Sequence, residues 1–329
     1  MRLVRSPLRI SIGGGGTDLP FYYRKKRADL TFAAIDKYCY VAANKTLNKG
    51  FRISLEEEVE KTKEITEISN DYLRNTLKAL EVNTNDYSIT SISDVPSGTG
   101  LGSSGSFTVA LLKALERQSP YNLDRERLAE KAFEIEHGML DKSCGKQDQY
   151  AASFGGLKRL QIDQEGRTTV TDMEIDQGTL KELQESLMLF YTNEKRYSER
   201  ILKEQRRKVV SSNSEEEKMD RIKEIGDKIR RCLEKGRVKE YGLLLDQHWQ
   251  TKKRFTEKMT NPKIDKIYSK AKKNGAKGGK IVGAGGGGFL LLFAEEEKQE
   301  DIKNSIDSFK VEPMEFEFDK QGCKVVYER

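Results

Sequence analysis

Pro96-Ser97-Gly98-Thr99-Gly100-Leu101-Gly102-Ser103-Ser104-Gly105-Ser106, leading straight into the apolar run Phe107 to Leu115, is the stretch from which the fold is read. Glycines let successive backbone N–H groups line a concavity. A helix that starts there adds unpaired amides and the positive end of its dipole, so the pattern predicts an anion cradle. The dipole contributes about 0.3–1 kcal/mol, which positions a phosphate more than it binds one. Context separates the stretch from an ordinary Gly/Ser loop. Tyr87 to Asp94 alternates like a half-buried strand, and Phe107, Ala110, Leu111, Ala114 and Leu115 share one helical face. Strand, glycine loop and helix in that order suit an anion. Ser103, Ser104 and Ser106 add hydroxyls for phosphate or for Mg²⁺, which prefers hard oxygen ligands.

The class of phosphate site is narrowed by what is missing. A Walker A loop needs a lysine directly after its glycines, and none follows here. Gly100-x-Gly102-x-x-Gly105 and Gly283-x-Gly285-x-x-Gly288 both match the literal dinucleotide fingerprint. The first lacks a compact strand-helix-strand unit with an acidic residue about 20 positions on. The second runs into Phe289 to Phe293, which reads as a buried strand rather than a helix opening. A nicotinamide or flavin oxidoreductase is therefore disfavoured.

Two more glycine-rich blocks flank the cradle at the ends of the chain: Ser6-Pro7-Leu8-Arg9-Ile10-Ser11-Ile12-Gly13-Gly14-Gly15-Gly16-Thr17-Asp18, and Lys280-Ile281-Val282-Gly283-Ala284-Gly285-Gly286-Gly287-Gly288. A fourth segment is Glu134-Ile135-Glu136-His137 followed by Cys144-Gly145-Lys146-Gln147-Asp148-Gln149. These four in this order resemble the GHMP kinase superfamily over essentially the full chain. The resemblance implies an α+β fold of two domains, an N-terminal one like domain 2 of ribosomal protein S5 and a C-terminal ferredoxin-like sandwich, with the active site in the cleft between them. It implies ATP as phosphate donor, with Mg²⁺ on Ser104 and Glu136. Pro96, Gly98, Gly100, Leu101, Gly102, Ser103, Ser104, Gly105 and Ser106 are expected to hold the phosphates. Asp148 is expected at the acceptor hydroxyl as base or orienting group, and Arg9 beside it to neutralise developing charge. Gly14, Gly15, Thr17, Asp18, Gly285 and Gly286 are expected on the acceptor side. His137 is assigned no chemistry.

Galactokinases carry Glu-His before the Thr-Asp of the first block, where this chain has Gly15-Gly16, so galactose is disfavoured. The form of that block, with Lys146-Gln147-Asp148-Gln149-Tyr150, is instead similar to bacterial D-glycero-D-manno-heptose 7-phosphate kinases, and implies transfer to the anomeric hydroxyl of a sugar phosphate. Phe190 to Ser198 and His248 to Lys253 resemble that group in part, and make Arg196, Lys252 and Lys253 candidates for the phosphate that such an acceptor carries. Other sugar kinases of the superfamily, or a non-catalytic sugar or nucleotide sensor on the same fold, are the alternatives.

The whole chain sets bounds on these readings. Its 329 residues allow two domains with substantial cores, and the formal charge of +6 is the small remainder of 59 basic against 53 acidic residues. That balance demands no nucleic acid. Four scattered cysteines and two histidines give no zinc or disulfide framework and suit a reducing cytoplasm. No signal peptide and no membrane-length apolar run is read, and the residues fix no oligomeric state. A division near residue 175 is expected, with domains at 1–175 and 176–329. Strands are expected around Leu8 to Ile12, Tyr38 to Asn44, Tyr87 to Ile92 and Leu187 to Tyr191, and at Lys280 to Val282 and Phe289 to Phe293 on either side of the third glycine block. Helices are expected around Asp71 to Ala79, Phe107 to Arg117 and Leu123 to His137, with charged helices filling much of the distance to Asn274. Glu56 to Thr66 is expected to be a strand pair or a flap.

Overall fold

The computed structural model describes residues 1–55, 58–82, 86–194 and 198–329. Twelve strands are described: β1 (Arg2–Gly13), β2 (Ala28–Lys45), β3 (Gly50–Leu55), β4 (Glu58–Thr62), β5 (Asp86–Ser93), β6 (Leu157–Ile162), β7 (Thr168–Asp172), β8 (Leu187–Tyr191), β9 (Gly278–Ile281), β10 (Phe289–Phe293), β11 (Glu312–Pro313) and β12 (Lys324–Glu328). The helices are α1 (Pro20–Tyr23), α2 (Asp71–Ala79), α3 (Ser103–Leu115), α4 (Arg125–Phe133), α5 (Gln147–Phe154), α6 (Gln177–Glu185), α7 (Ser198–Ser211), α8 (Asn213–Glu234), α9 (Val238–Lys252), α10 (Pro262–Lys273) and α11 (Glu296–Ile306).

Strand β2 organises the first sheet. Its early half pairs with β6 from Ala28 to Ala33, and its late half with β5 from Cys39 to Lys45, while β1 runs antiparallel along nearly all of it. A register shift at Pro7/Leu8 lets one strand serve both halves, since a bulge bends and twists a ladder locally. The sheet order is β12-β1-β2-β5-β3-β4, with β6 and β7 branching from β2. The second sheet is β11-β8-β10-β9, all antiparallel. Strand β12 returns to the first sheet beside β1, so the last residues sit with Arg2 to Arg5, a crossing that a division at residue 175 does not foresee. Of the Glu56 to Thr66 segment, Glu58–Thr62 is strand β4 against β3, and residues 56 and 57 lie outside the described set.

Two cores sandwich the first sheet. Val41, Ile53 and Ile89 meet Leu73 of α2 and Val109 and Leu112 of α3 on one face. On the other, Leu8, Ile10 and Ile12 of β1 join Ile225 and Ile229 of α8, Leu245 of α9, and Leu189, Leu291 and Phe293 of the second sheet. This second core locks the two sheets around α8. Gly226 makes the approach possible: a Cβ there would lie 2.7 Å from Gly14 Cα, so α8 crosses the first glycine block at backbone contact.

Several helices distant from the glycine loop begin with a side-chain cap. Asn70, Asp124, Asp176 and Asn261 each accept from the backbone three residues on, and Pro262 takes the first helical position of α10. Helices α3 and α5 have no such cap. Gly102 precedes α3 at φ 83°, a left-handed conformation that glycine adopts without penalty. The helix therefore starts at Ser103, inside the glycine block and four residues earlier than the apolar pattern alone predicts. Its first amides are left for something other than its own side chains.

Candidate active site

The N-termini of α3 and α5 meet. A Cβ on Gly105 would stand 2.8 Å from Asp148 Cβ, so this glycine serves helix-to-helix approach. Asp148, the second residue of α5, is thereby held against the glycine loop. Arg9 of β1 reaches the same place. Its Nε donates to Asp148 Oδ1 at 2.8 Å, its Nη2 lies 2.6 Å from that oxygen, and its Nη1 donates to the Gly100 carbonyl at 2.5 Å. The Arg9 backbone N–H donates to the Leu101 carbonyl at 2.8 Å. One arginine therefore ties the first block, the cradle and the aspartate together. Its guanidinium is buried, while the Asp148 carboxylate stays 30% exposed towards a cavity of about 270 Å³.

Glu136 lies in the same cavity, on the Glu134–Met139 segment where α4 widens into a single π turn. Such a turn re-aims side chains. Its carboxylate is buried and accepts from Gln149 Nε2 at 2.7 Å. Burial pushes its pKa up to about 7, opposed by the Gln149 amide and the Ser104 hydroxyl and reinforced by the charge on Asp148. A buried carboxylate with no lysine or arginine in ion-pair contact among the described residues, facing a serine hydroxyl, suits a hard divalent cation. Mg²⁺ takes one or two carboxylates and completes its shell with water and phosphate oxygens. Among the described residues no cluster of three or more carboxylate, histidine or cysteine ligands exists.

Asp18 is buried beside the first block, accepting from Gly16 N at 3.1 Å and Gln147 N at 3.0 Å. Desolvation raises its pKa against those two donors, with Asp148 adding to the rise. Gly145 makes room for it, because a Cβ there would fall 1.9 Å from Asp18 Oδ2. Ser11 Oγ and Gln147 Nε2 line the cavity, buried and without a hydrogen-bond partner among the described residues. So do both ring nitrogens of His248 on α9. Burying such groups unpaired costs about 1–3 kcal/mol each. Their convergence on one cavity marks a place for a polar ligand.

The remaining expectations are sorted by the same geometry. Pro96, Ser97 and Gly98 form an exposed rim, whereas Gly100, Leu101 and Gly102 are buried beneath it. Ser104 is exposed to the cavity and the Ser103 hydroxyl is buried without a partner among the described residues, but Ser106 donates to the Pro7 carbonyl and faces the protein interior. The expected phosphate or metal role of the Ser106 hydroxyl is thus corrected to a structural one. Gly15, Gly16 and Asp18 line the cavity. Gly14 and Thr17 do not: Thr17 Oγ1 donates to the Gly14 carbonyl at 2.8 Å, and a Gly14 Cβ would meet the Asp29 carbonyl at 2.6 Å. Gly285 and Gly286 likewise pack against the Lys258-Met259 backbone, and it is Gly283 and Ala284 that line the cavity. The third block also braces the cradle, with Gly288 in backbone contact with Thr99 and Phe289 N donating to the Thr99 carbonyl at 3.2 Å. Lys253 pairs with Asp265 at 3.2 Å and is absent from the cavity lining, whereas Lys252 is part of it. Arg196 lies outside the described residues. His137 stacks on Phe133 and contacts the Lys142 carbonyl.

Sequence reasoning missed Ser11, Gly145, Gln147, Lys280 and the buried state of His248. Gln147 and Gly145 stood inside a quoted motif, and Lys280 opened another. Nothing in one sequence distinguishes such a residue from its neighbours without a third dimension.

The known proteins that this chain is similar to agree with the geometry. Residues 70–156 match the GHMP kinases N terminal domain and residues 229–311 the GHMP kinases C terminal domain. The D-glycero-alpha-D-manno-heptose 7-phosphate kinase of Campylobacter jejuni is 28% identical over 98% of this chain and 99% of its own. A galactokinase of Pyrococcus furiosus is 25% identical over 86% of each chain. In fold, the chain superposes on a D-glycero-D-manno-heptose 1-phosphate kinase from Bacteroides thetaiotaomicron with a TM-score of 0.83 over the whole of both chains, at 24% identity. With both halves of the family matched in order around one cleft, the protein belongs to the GHMP kinases.

Proposed function

We propose that the protein is an ATP- and Mg²⁺-dependent sugar-phosphate kinase. Its proposed reaction transfers phosphate to the anomeric hydroxyl of D-glycero-D-manno-heptose 7-phosphate, giving the 1,7-bisphosphate, in the cytoplasm and for nucleotide-activated heptose. The observation that carries the kinase reading is the Arg9–Asp148 pair held where two uncapped helix N-termini meet. The similarity to the Campylobacter jejuni enzyme supports the heptose assignment. Gly15 and Gly16, which add no side chain to the acceptor wall, agree with an acceptor larger than galactose.

In this reading the amides from Gly100 to Gly105 hold the phosphate tail of ATP, the Ser106 amide being bonded to the Gly102 carbonyl, and Ser104 and Glu136 hold the metal. When bound, Mg²⁺ neutralises charge on the phosphate oxygens. Asp148 accepts a hydrogen bond from the anomeric hydroxyl and orients its oxygen for in-line attack. Arg9, donating to one carboxylate oxygen of Asp148, leaves the other for that hydroxyl. Asp18, Ser11 and Gln147 offer partners to further hydroxyls. Phosphoryl transfer asks mostly for position and compensating charge, which is what these residues supply.

The test is a screen for ADP release over phosphorylated and free sugars, followed by identification of the product. Heptose 7-phosphate should be consumed with a 1,7-bisphosphate formed. Consumption of a free hexose in its place would refute the acceptor and keep the kinase.

Among the described residues no helix is long and apolar enough to cross a membrane.

A further inference from the structure

Another wall of the cavity is built by α9 and β9. Gly278 brings them together, since a Cβ there would sit 1.9 Å from the Gly242 carbonyl, so the helix lies on the strand at backbone distance. His248 and Lys252 of α9 and Lys280 of β9 all reach the cavity from this wall. Lys280 is 2% exposed, and its ammonium has one long contact, 3.4 Å to the Ile12 carbonyl. No carboxylate pairs with it among the described residues. Lys252 donates to the Gly283 carbonyl. His248 is 1% exposed with neither ring nitrogen bonded among the described residues. A buried ammonium so poorly matched is costly, and Lys252 and Arg9 add like charge. Burial and those two cations hold the Lys280 pKa well below its usual value, and burial does the same to His248.

We infer that Lys280, His248 and Lys252 form an anion subsite that takes the phosphate already carried by the acceptor sugar, an inference that rests on the sugar-phosphate reading above. An entering phosphate supplies what each group lacks: acceptor oxygens for the Lys280 ammonium and for an imidazole N–H, and charge that offsets the two lysines. Placement agrees. Arg9 touches the cradle through Leu101, and Ile12 lies three residues further along β1, towards the first glycine block. At strand rise that is about 10 Å, the scale of an extended sugar phosphate lying from Asp148 to Lys280. The cradle lies at the Arg9 end, so the subsite is separate from the phosphates of ATP.

The experiment compares wild type with Lys280→Met, His248→Ala and Lys253→Met, using heptose 7-phosphate and unphosphorylated heptose at saturating ATP and Mg²⁺, and measures KM for ATP at saturating sugar. Lys280→Met should raise KM for heptose 7-phosphate at least 30-fold, erase a like share of the preference for the phosphorylated sugar, and leave KM for ATP within twofold. Its melting temperature without ligand should equal or exceed that of wild type, since a buried and poorly bonded polar group is gone. His248→Ala should move the same ratio in the same direction, which keeps the test open should Lys280→Met not fold. Lys253→Met should change neither constant. An unchanged preference for the phosphorylated sugar, or a rise confined to KM for ATP, overturns the subsite. Should wild type ignore heptose 7-phosphate, the functional reading falls by itself. Calorimetric titration of inorganic phosphate into the ADP–Mg²⁺-loaded protein then decides the subsite: tenfold weaker binding in Lys280→Met supports it, and equal binding overturns it.

Discussion

The two walls of the cavity are made of opposite chemistry by different means. The wall from β1, α3, α5 and the π turn carries Asp18, Glu136 and Asp148, and each of these carboxylates is held by backbone, glutamine or arginine donors. The other wall from α9 and β9 carries His248, Lys252 and Lys280, and two of those three are buried with little or nothing to bond. Carboxylates that are already bonded hold a fixed geometry, which is what chemistry at a single oxygen needs. Under-bonded groups gain most when a ligand arrives. The difference suggests a division of labour, reaction on one side and recognition on the other.

The sharpest way to break that division is Asp148→Asn. The amide keeps the shape but removes the charge that Arg9 faces and the strong acceptor for the hydroxyl. A fall in kcat of about 10³-fold is expected, the middle of the range for a positioned base, with ATP affinity within a few-fold of wild type by equilibrium binding. Activity near that of wild type would remove Asp148 from its role. Gln149→Leu is the next test, and it separates holding from reacting. Gln149 does not line the cavity but donates to Glu136, so it acts by positioning. Its loss should raise half-saturating Mg²⁺ by about tenfold or more, as for other groups that orient a metal ligand, and excess Mg²⁺ should restore turnover. A kcat deficit that Mg²⁺ does not restore would point to a damaged fold or to a different role.

Legibility in the sequence follows the same line. Strand β1, the cradle and Asp148 were readable because glycine, with its backbone freedom, and the residues around it recur in a local pattern. Helix α2 was expected around Asp71 to Ala79 and spans Asp71–Ala79. Strands β3, β6, β7 and β12 were not named from the sequence. They are short or edge strands with mixed polarity, such as Lys324–Glu328, whose pairing with β1 is a contact across the length of the chain. The third glycine block was legible as a motif and misread as a surface for the acceptor. Gly285, Gly286 and Gly288 are small because other backbone lies against them, a reason that composition cannot show. The basic wall was least legible. Lys280 follows two glycines in a strand, and only the buried approach of α9 gives it meaning.

Two glycine substitutions set the walls against each other at a smaller scale. Gly145→Ala drives a methyl into Asp18, and Gly278→Ala drives one into the Gly242 carbonyl. Each should cost about 1–3 kcal/mol of stability by overpacking, read as a lower urea midpoint. Their kinetic effects should diverge. Gly145→Ala should weaken phosphorylated and free sugar alike, because Asp18 would face hydroxyls that both possess. Gly278→Ala should weaken the phosphorylated sugar selectively. Identical profiles for the two would argue that the walls act as one unit.

The smallest expected effect concerns the cradle hydroxyls, where two serines two residues apart are put to different uses. Ser106 donates to the Pro7 carbonyl and so fastens α3 to β1, while Ser104 opens on the cavity beside Glu136. Ser106→Ala should cost about 1 kcal/mol in stability, with a carbonyl left unpaired, and should change the Mg²⁺ requirement little. Ser104→Ala should do the reverse, raising half-saturating Mg²⁺ a few-fold at unchanged urea midpoint. If Ser106→Ala shifts the Mg²⁺ requirement and Ser104→Ala does not, the metal contact belongs deeper in the helix than this geometry allows, and α3 must move when ATP binds.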